Sequence, residues 1–247
     1  MGFLSVSAAR HPELMDDPRL SADEHLHALR ALGTINAVSR TAASLAAGVA
    51  ALVPAAHPGP IEIVDLACGG GDVTRDCARR VGRRLGGRAL RMTGIDMSPR
   101  ALARARADLG RDRMLGAEPA CEVTFAARDL AAEGCPPCDI AISSLFLHHL
   151  DDDAAVGLLR TMRAACRVGF VMSDLVRSRL GLVLAVVGTG LLSTSRVARV
   201  DGPLSVRAAR TAGEYRRLLE AAGLREVTIR RTWPERVVIT WRREAVS

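Results

Sequence analysis

The chain has 247 residues, 49% hydrophobic and 25% charged, with a formal net charge of +7. That length suits one large α/β domain with a buried core, and six scattered cysteines need not form a disulfide framework in it. The sequence has no lysine and only 3% aromatic residues; arginines spread along predicted helices, with few stacking platforms, argue against nucleic acid as a substrate.

From the start, Met1 to Pro18 lacks the charged, apolar and cleavage regions of a signal peptide, so a cytoplasmic protein is expected. No apolar run is long enough for a transmembrane helix. Residues 21–53 are predicted helical. Ser21 with Glu24 makes an S-x-x-E capping box, and Leu26, Leu29, Leu32, Ile35 and Val38 recur at helical spacing, with a break expected near Gly33. Proline and glycine between Pro54 and Pro60 then mark the clearest boundary. Residues 1–60 are expected to form a helical lid segment, and residues 61–247 the main domain.

Strand-like and helix-like segments alternate after it. Strands are predicted at 61–66, 89–96, 121–130, 138–144 and 168–175, and helices at 72–85, from Ser98 with Pro99 at its first position, and at 152–166. Leu180 to Leu192 is an uncharged apolar run, too short at about 1.5 Å per residue to cross a bilayer as a helix. It lies in an insertion near 175–210, readable as core, lipophilic substrate wall, membrane-facing lid or dimer contact. Thr211 and Glu214 open a last helix that Gly223 stops, and residues 225–243 read as an antiparallel hairpin turning at Trp233 and Pro234. The pattern predicts a Rossmann-like, doubly wound seven-stranded α/β sheet, mostly parallel, with a terminal antiparallel hairpin.

Ligands of such sheets sit at the carboxyl ends of the strands. The first strand ends in Asp65, Leu66, Ala67, Cys68, Gly69, Gly70 and Gly71, the second in Asp96, and the third in Asp129. A carboxylate at Asp96 suits a pair of ribose hydroxyls, and Asp129 or its neighbouring backbone suits an adenine amine. A nicotinamide dinucleotide wants G-x-G-x-x-G and a pyrophosphate on the helix N-terminus. Here Thr74 replaces the third glycine and Asp72 opens the helix, where it would repel a pyrophosphate. A cationic adenosyl ligand without phosphate is more compatible, and S-adenosylmethionine is one.

At these residues the chain resembles the class I S-adenosylmethionine-dependent methyltransferases. "VDLACGGGD" resembles their glycine-rich first motif, with Ala67 where glycine is common. "GIDMS" resembles their ribose-binding motif and "ARDL" their adenine-side motif. "SSLFLHHLDD" resembles the fourth-strand motif of the ubiquinone and menaquinone biosynthesis-like branch. The resemblance implies a cofactor site of Asp65, Ala67, Cys68, Gly69, Gly71, Asp96, Met97, Asp129, Leu130 and Ser144, with S-adenosyl-L-homocysteine as product. Arg40 is a further candidate, for the methionine carboxylate.

His148 and His149 follow the fourth strand, beside the expected methyl group, and either imidazole suits a general base. Asp174 is a second polar candidate, though a helix cap is the more ordinary reading of it. Cys135 and Cys138 form a C-x-x-C with no second pair and no nearby histidines, so they read as a proline turn before a strand, and no metal site is assigned.

Residues 199–224, with the "PELMDDP" stretch, resemble bacterial methyltransferases associated with type III polyketide synthases. The expected reaction is O-methylation of a phenolic or enolic hydroxyl on a small lipophilic polyketide or quinone-like acceptor. C-methylation of an aromatic precursor is the near rival, and a non-catalytic S-adenosylmethionine-binding partner protein the rival of another class. Peripheral membrane contact through the apolar insertion and a homodimer are the other partner expectations.

Overall fold

The computed structural model describes residues 6–114 and 121–244. The first five residues of the stretch read for a signal peptide lie outside them. A short 3-10 turn at Leu14–Asp16 precedes helices α1 (Ala22–Val38) and α2 (Thr41–Leu52). Then come β1 (Ile61–Leu66), α3 (Asp72–Arg84), β2 (Leu90–Asp96), α4 (Pro99–Met114), β3 (Cys121–Ala127) and α5 (Leu130–Glu133). β4 (Cys138–Ser144) leads through a 3-10 turn at Leu147–His149 to α6 (Asp152–Ala165) and β5 (Cys166–Leu175). The chain closes with α7 (Arg179–Leu192), α8 (Arg196–Ala208), α9 (Ala212–Ala221), β6 (Thr228–Thr232) and β7 (Arg236–Arg242).

The seven strands lie in the order β3-β2-β1-β4-β5-β7-β6. The first five are parallel, and β7 runs antiparallel to both β5 and β6. The expected Rossmann-like sheet with its terminal hairpin is therefore the observed one. β1 and β4 are buried along almost their whole length, as strands covered on both faces must be. Chain order reverses between β1 and β4, and this switch point sets the crevice for a ligand.

Two sequence expectations change in detail. The helix break falls at Ser39 and Arg40, where Arg40 takes a φ of 54°, and α1 runs straight through Gly33. Gly33 is tolerated because the helix ladder continues and a bare Cα faces the Asp72 side chain. The helical cover over residues 1–60 also divides. α2 buries Leu45, Ala46 and Val49 in the core, against β5 and α3, whereas α1 lies over α2, α4, α7 and α8.

The apolar run at 180–192 is a helix, α7, and it is not core. Leu180, Val183, Val186 and Leu191 are each more than half exposed, and among its residues Gly181 and Thr189 are the buried ones. It packs on α8 and α1 through one side alone.

Candidate active site

The loop from β1 to α3 needs unusual backbone. Ala67, Gly69 and Gly71 all take positive φ, and the Cys68 amide donates to Ile95 O of β2. The two glycines act differently. A Cβ on Gly71 would stand 2.6 Å from the Phe125 ring, so this glycine lets α3 close on β3. Gly71 thus has a packing role whatever its backbone offers a ligand. A Cβ on Gly69 would meet nothing nearer than Leu29 of α1, at 3.9 Å, so Gly69 is the glycine that borders the mouth beneath α1.

Asp96 ends β2 and ties the loop down. Its Oδ2 accepts from Gly69 N and its Oδ1 from Ser98 N, both at 2.8 Å. A carboxylate has further lone pairs for hydroxyl donors. Met97 beside it is 72% exposed. Ser144 is half-buried at the end of β4, opposite Ser173. Leu130 is half-buried at the start of α5. Asp129 is exposed, and its Oδ1 caps α5 through Ala131 N and Ala132 N. Helix capping therefore takes that oxygen from the adenine role expected of the residue.

Asp65 is buried at the end of β1. Its Oδ2 accepts from Thr74 Oγ1 at 2.6 Å, while its Oδ1 has no hydrogen-bond partner. Burial pushes Asp65 up to about 7 against that hydrogen bond, and Asp72 and Asp96 add repulsion. Burial raises Asp72 as well, against a hydrogen bond from Asn36 of α1. His25 of α1, buried with Nδ1 unpartnered, is near enough to Asp96 to feel its charge. The mouth thus gathers carboxylates and leaves buried polar atoms unpaired. That suits a ligand with an ammonium or sulfonium better than one with a phosphate.

Arg40, expected at a methionine carboxylate, is exposed at the α1–α2 junction. The arginine buried nearby is Arg236 at the start of β7, which donates to Thr41 Oγ1 and Asn36 Oδ1. Burial lowers it to about 10, and Asp174 and Asp72 oppose that shift. Sequence reasoning missed Arg236 because a hairpin arginine reads as surface.

Between the ends of β4 and β5 lies a histidine–carboxylate pair. Asp174 does not cap a helix. Its Oδ1 lies 2.6 Å from His148 Nδ1, and its Oδ2 accepts from His148 N. Burial raises the Asp174 carboxyl, but His148, the Leu175 amide and His149 outweigh it and hold it below its ordinary value. Arg210 donates to Leu147 O and Leu150 O and so clamps the turn carrying both histidines.

The N-terminal strap closes this pocket. Leu14 N and Met15 N donate to Asp201 of α8, and Glu13 accepts from Ser205 Oγ. The Glu13 carboxylate then stands 3.9 Å from Nε2 of both His148 and His149, and Asp16 stands 3.6 Å from His149 Nδ1. Sequence reading missed Glu13 and Asp16, which lie more than 130 residues before the histidines they face. Burial lowers the His149 pKa, but Asp16 and Glu13 overcome it and bring it to about 8.

Residues 63–169, which hold the glycine loop, Asp96 and both histidines, match the family described as a methyltransferase domain. Over those residues the chain is similar to a methyltransferase domain. Acetylserotonin O-methyltransferase of Gallus gallus is 37% identical over 114 residues, 44% of this chain and 30% of that protein. Human N-acetylserotonin methyltransferase, crystallised with S-adenosylmethionine, superposes with a TM-score of 0.62 at 19% identity, over 91% of this chain and 57% of that one. Mitomycin 7-O-methyltransferase superposes with a TM-score of 0.58 at 25% identity, over 92% and 59%. The chain thus spans about a third to three-fifths of the length of these relatives. The matched residues include the strand ends at Asp65, Asp96 and Ser144. The strap, α7, α8 and Asp174 lie outside the matched residues.

Proposed function

We propose that the chain is an S-adenosylmethionine-dependent O-methyltransferase acting on a phenolic or enolic hydroxyl of a small lipophilic acceptor. The observation that carries the reading is the buried His148–Asp174 pair at the mouth of an acidic, adenosyl-compatible crevice. S-adenosylmethionine supplies an electrophilic methyl group on its sulfonium. Gly69, Asp96, Met97 and Leu130 are the residues to border it, with Asp65 Oδ1 to meet its ammonium.

The chain's own part is proton management. Asp174 accepts from His148 Nδ1–H and selects the tautomer with a bare Nε2 lone pair. Nε2 takes the acceptor's hydroxyl proton, and Asp174 stabilises the imidazolium that results. The oxygen left behind would attack the methyl carbon as the carbon–sulfur bond breaks, with that electron pair leaving on S-adenosylhomocysteine. Holding the oxygen in line contributes alongside the base. Leu29 and α1 over the loop exclude water.

A polyketide or quinone-like acceptor is supported by the resemblance around 199–224 and by the exposed apolar side of α7 beside α8. That side also suits a peripheral lipid contact. None of the described helices is long and apolar enough on its own to cross a membrane, and a cytoplasmic location is proposed.

The test is calorimetry with S-adenosylhomocysteine on wild type and Asp96→Ala, then turnover on a panel of phenolic lipids. Binding that the variant loses, with methyl transfer to oxygen, supports the reading. Well-folded protein that binds no S-adenosylhomocysteine defeats it.

A further inference from the structure

The C-x-x-C of the loop before β4 acquires a third sulfur that spacing alone does not show. Cys138 opens β4 and Cys166 opens β5, and the two are direct partners in the parallel register. Their sulfurs lie 3.9 Å apart. Cys135 folds back over them from the turn after Gly134, so that all three sulfurs lie within 4.8 Å of one another. All three side chains are buried, Cys138 and Cys166 completely.

The turn is held by its surroundings. Cys135 N donates to Thr161 Oγ1 of α6, and Arg128 Nε donates to Gly134 O. Two guanidiniums flank the sulfurs: Arg243, which donates to Cys166 O, and Arg128, whose charge acts on Cys135. The two guanidiniums place positive charge beside sulfurs that a metal would hold as thiolates. The cluster sits at the opposite ends of β4 and β5 from Ser144 and Asp174, so it plays no part in the proton transfer described above.

We propose that Cys135, Cys138 and Cys166 form a binding site for a thiophilic d10 cation, with three-coordinate copper(I) the best fit. Three sulfurs each about 2.3 Å from a shared ion stand about 3.9 Å apart; the Cys138–Cys166 edge already has that length, and the edges to Cys135, at most 4.8 Å, would close by under an ångström. Thiolates select soft ions. Among the described residues no imidazole or carboxylate joins the set, so a tetrahedral zinc site lacks its fourth protein ligand. The thiol protons leave to solvent as the ion enters, which makes affinity rise with pH. A bound ion would pin β4 to β5 at their starting ends. The inference does not depend on methyl transfer.

The reduced full chain should be titrated anaerobically with copper(I) against bicinchoninate as a competing chelator. One equivalent should be withdrawn from the chelator, and X-ray absorption of that wild-type sample should give three sulfur neighbours at about 2.3 Å. Cys166→Ser and Cys135→Ser should weaken binding by on the order of 100-fold or more, at least the loss seen when outer-shell partners of a metal ligand are removed. Cys121→Ser should leave it unchanged. A wild type that takes no copper, or holds it with fewer than three sulfurs, overturns the site. So does undiminished affinity in a folded Cys166→Ser. The absorption measurement uses unaltered protein, so the site can fail even if a serine variant does not fold.

Discussion

Asp174 Oδ1 lies 2.6 Å from His148 Nδ1, with both side chains almost wholly removed from water. The carboxylate also receives His148 N and Leu175 N, so the imidazole's orientation is set by backbone as well as side chain. Asp174→Asn should disturb the tautomer while leaving the shape. The turnover number is expected to fall by roughly 10²–10⁴-fold, the range of general-base contributions. S-adenosylhomocysteine affinity should be unchanged by calorimetry. A fall in affinity with intact turnover would place Asp174 in binding instead.

Asp65 sets stability against binding. Its folded carboxyl sits at about 7 against an ordinary 3.8, so the fold favours the neutral form. That contribution is complete below pH 3.8 and is lost as pH rises through 7. At pH 8 the unliganded protein holds a buried carboxylate, and Asp65→Asn should then raise stability by roughly 1–4 kcal/mol. The same variant should weaken S-adenosylhomocysteine by about tenfold or more through loss of a charged acceptor. Thermal melts and calorimetry across pH 5–9 check both, and a variant that melts lower at pH 8 contradicts the argument.

Much of the fold was legible because strands covered on both faces must be apolar and helices must be capped. Ile61–Leu66 and Cys138–Ser144 could be little else, and Ser21, Ser98 and Thr211 announce their helices. The strand-end carboxylates were legible for the same reason: each sits at a fixed offset from an apolar run. What could not be read was contact between distant segments. Nothing near Glu13 says that Ser205 and the two histidines lie across from it. Nothing near Arg236 says that Thr41 and Asn36 will bury it. The apolar run at 180–192 misleads toward core, since hydrophobicity alone does not say whether a helix face finds a partner.

Gly69 and Gly71 should separate by experiment. Gly71→Ala drives a methyl into Phe125 at a φ of 70° and should cost roughly 2–4 kcal/mol from overpacking and left-handed strain together. Gly69→Ala meets only the strain, about 1–2 kcal/mol, but crowds the mouth and should lower cofactor affinity more than stability. Urea melts paired with calorimetry decide it. Equal stability losses in both would refute the division of roles.

The strap should respond to pH through His149. Its folded pKa of about 8 lies above the ordinary 6.5, so the contacts of Glu13 and Asp16 with the imidazolium are fully present below pH 6.5. They are lost as pH rises through 8. The exposed Asp16 is well screened, so the contribution is put at about 1–2 kcal/mol at low salt. Proteolysis should therefore cut the strap faster at pH 9 than at pH 6, and salt should narrow the difference. In His149→Gln the rate should no longer vary with pH in this window. Because Glu13 also faces Nε2 of His148, an acceptor reaching that nitrogen must displace the carboxylate. Glu13→Gln should then lower the acceptor KM, while leaving S-adenosylhomocysteine affinity as it was. An unchanged KM would mean that the acceptor reaches His148 by a path the strap does not cover.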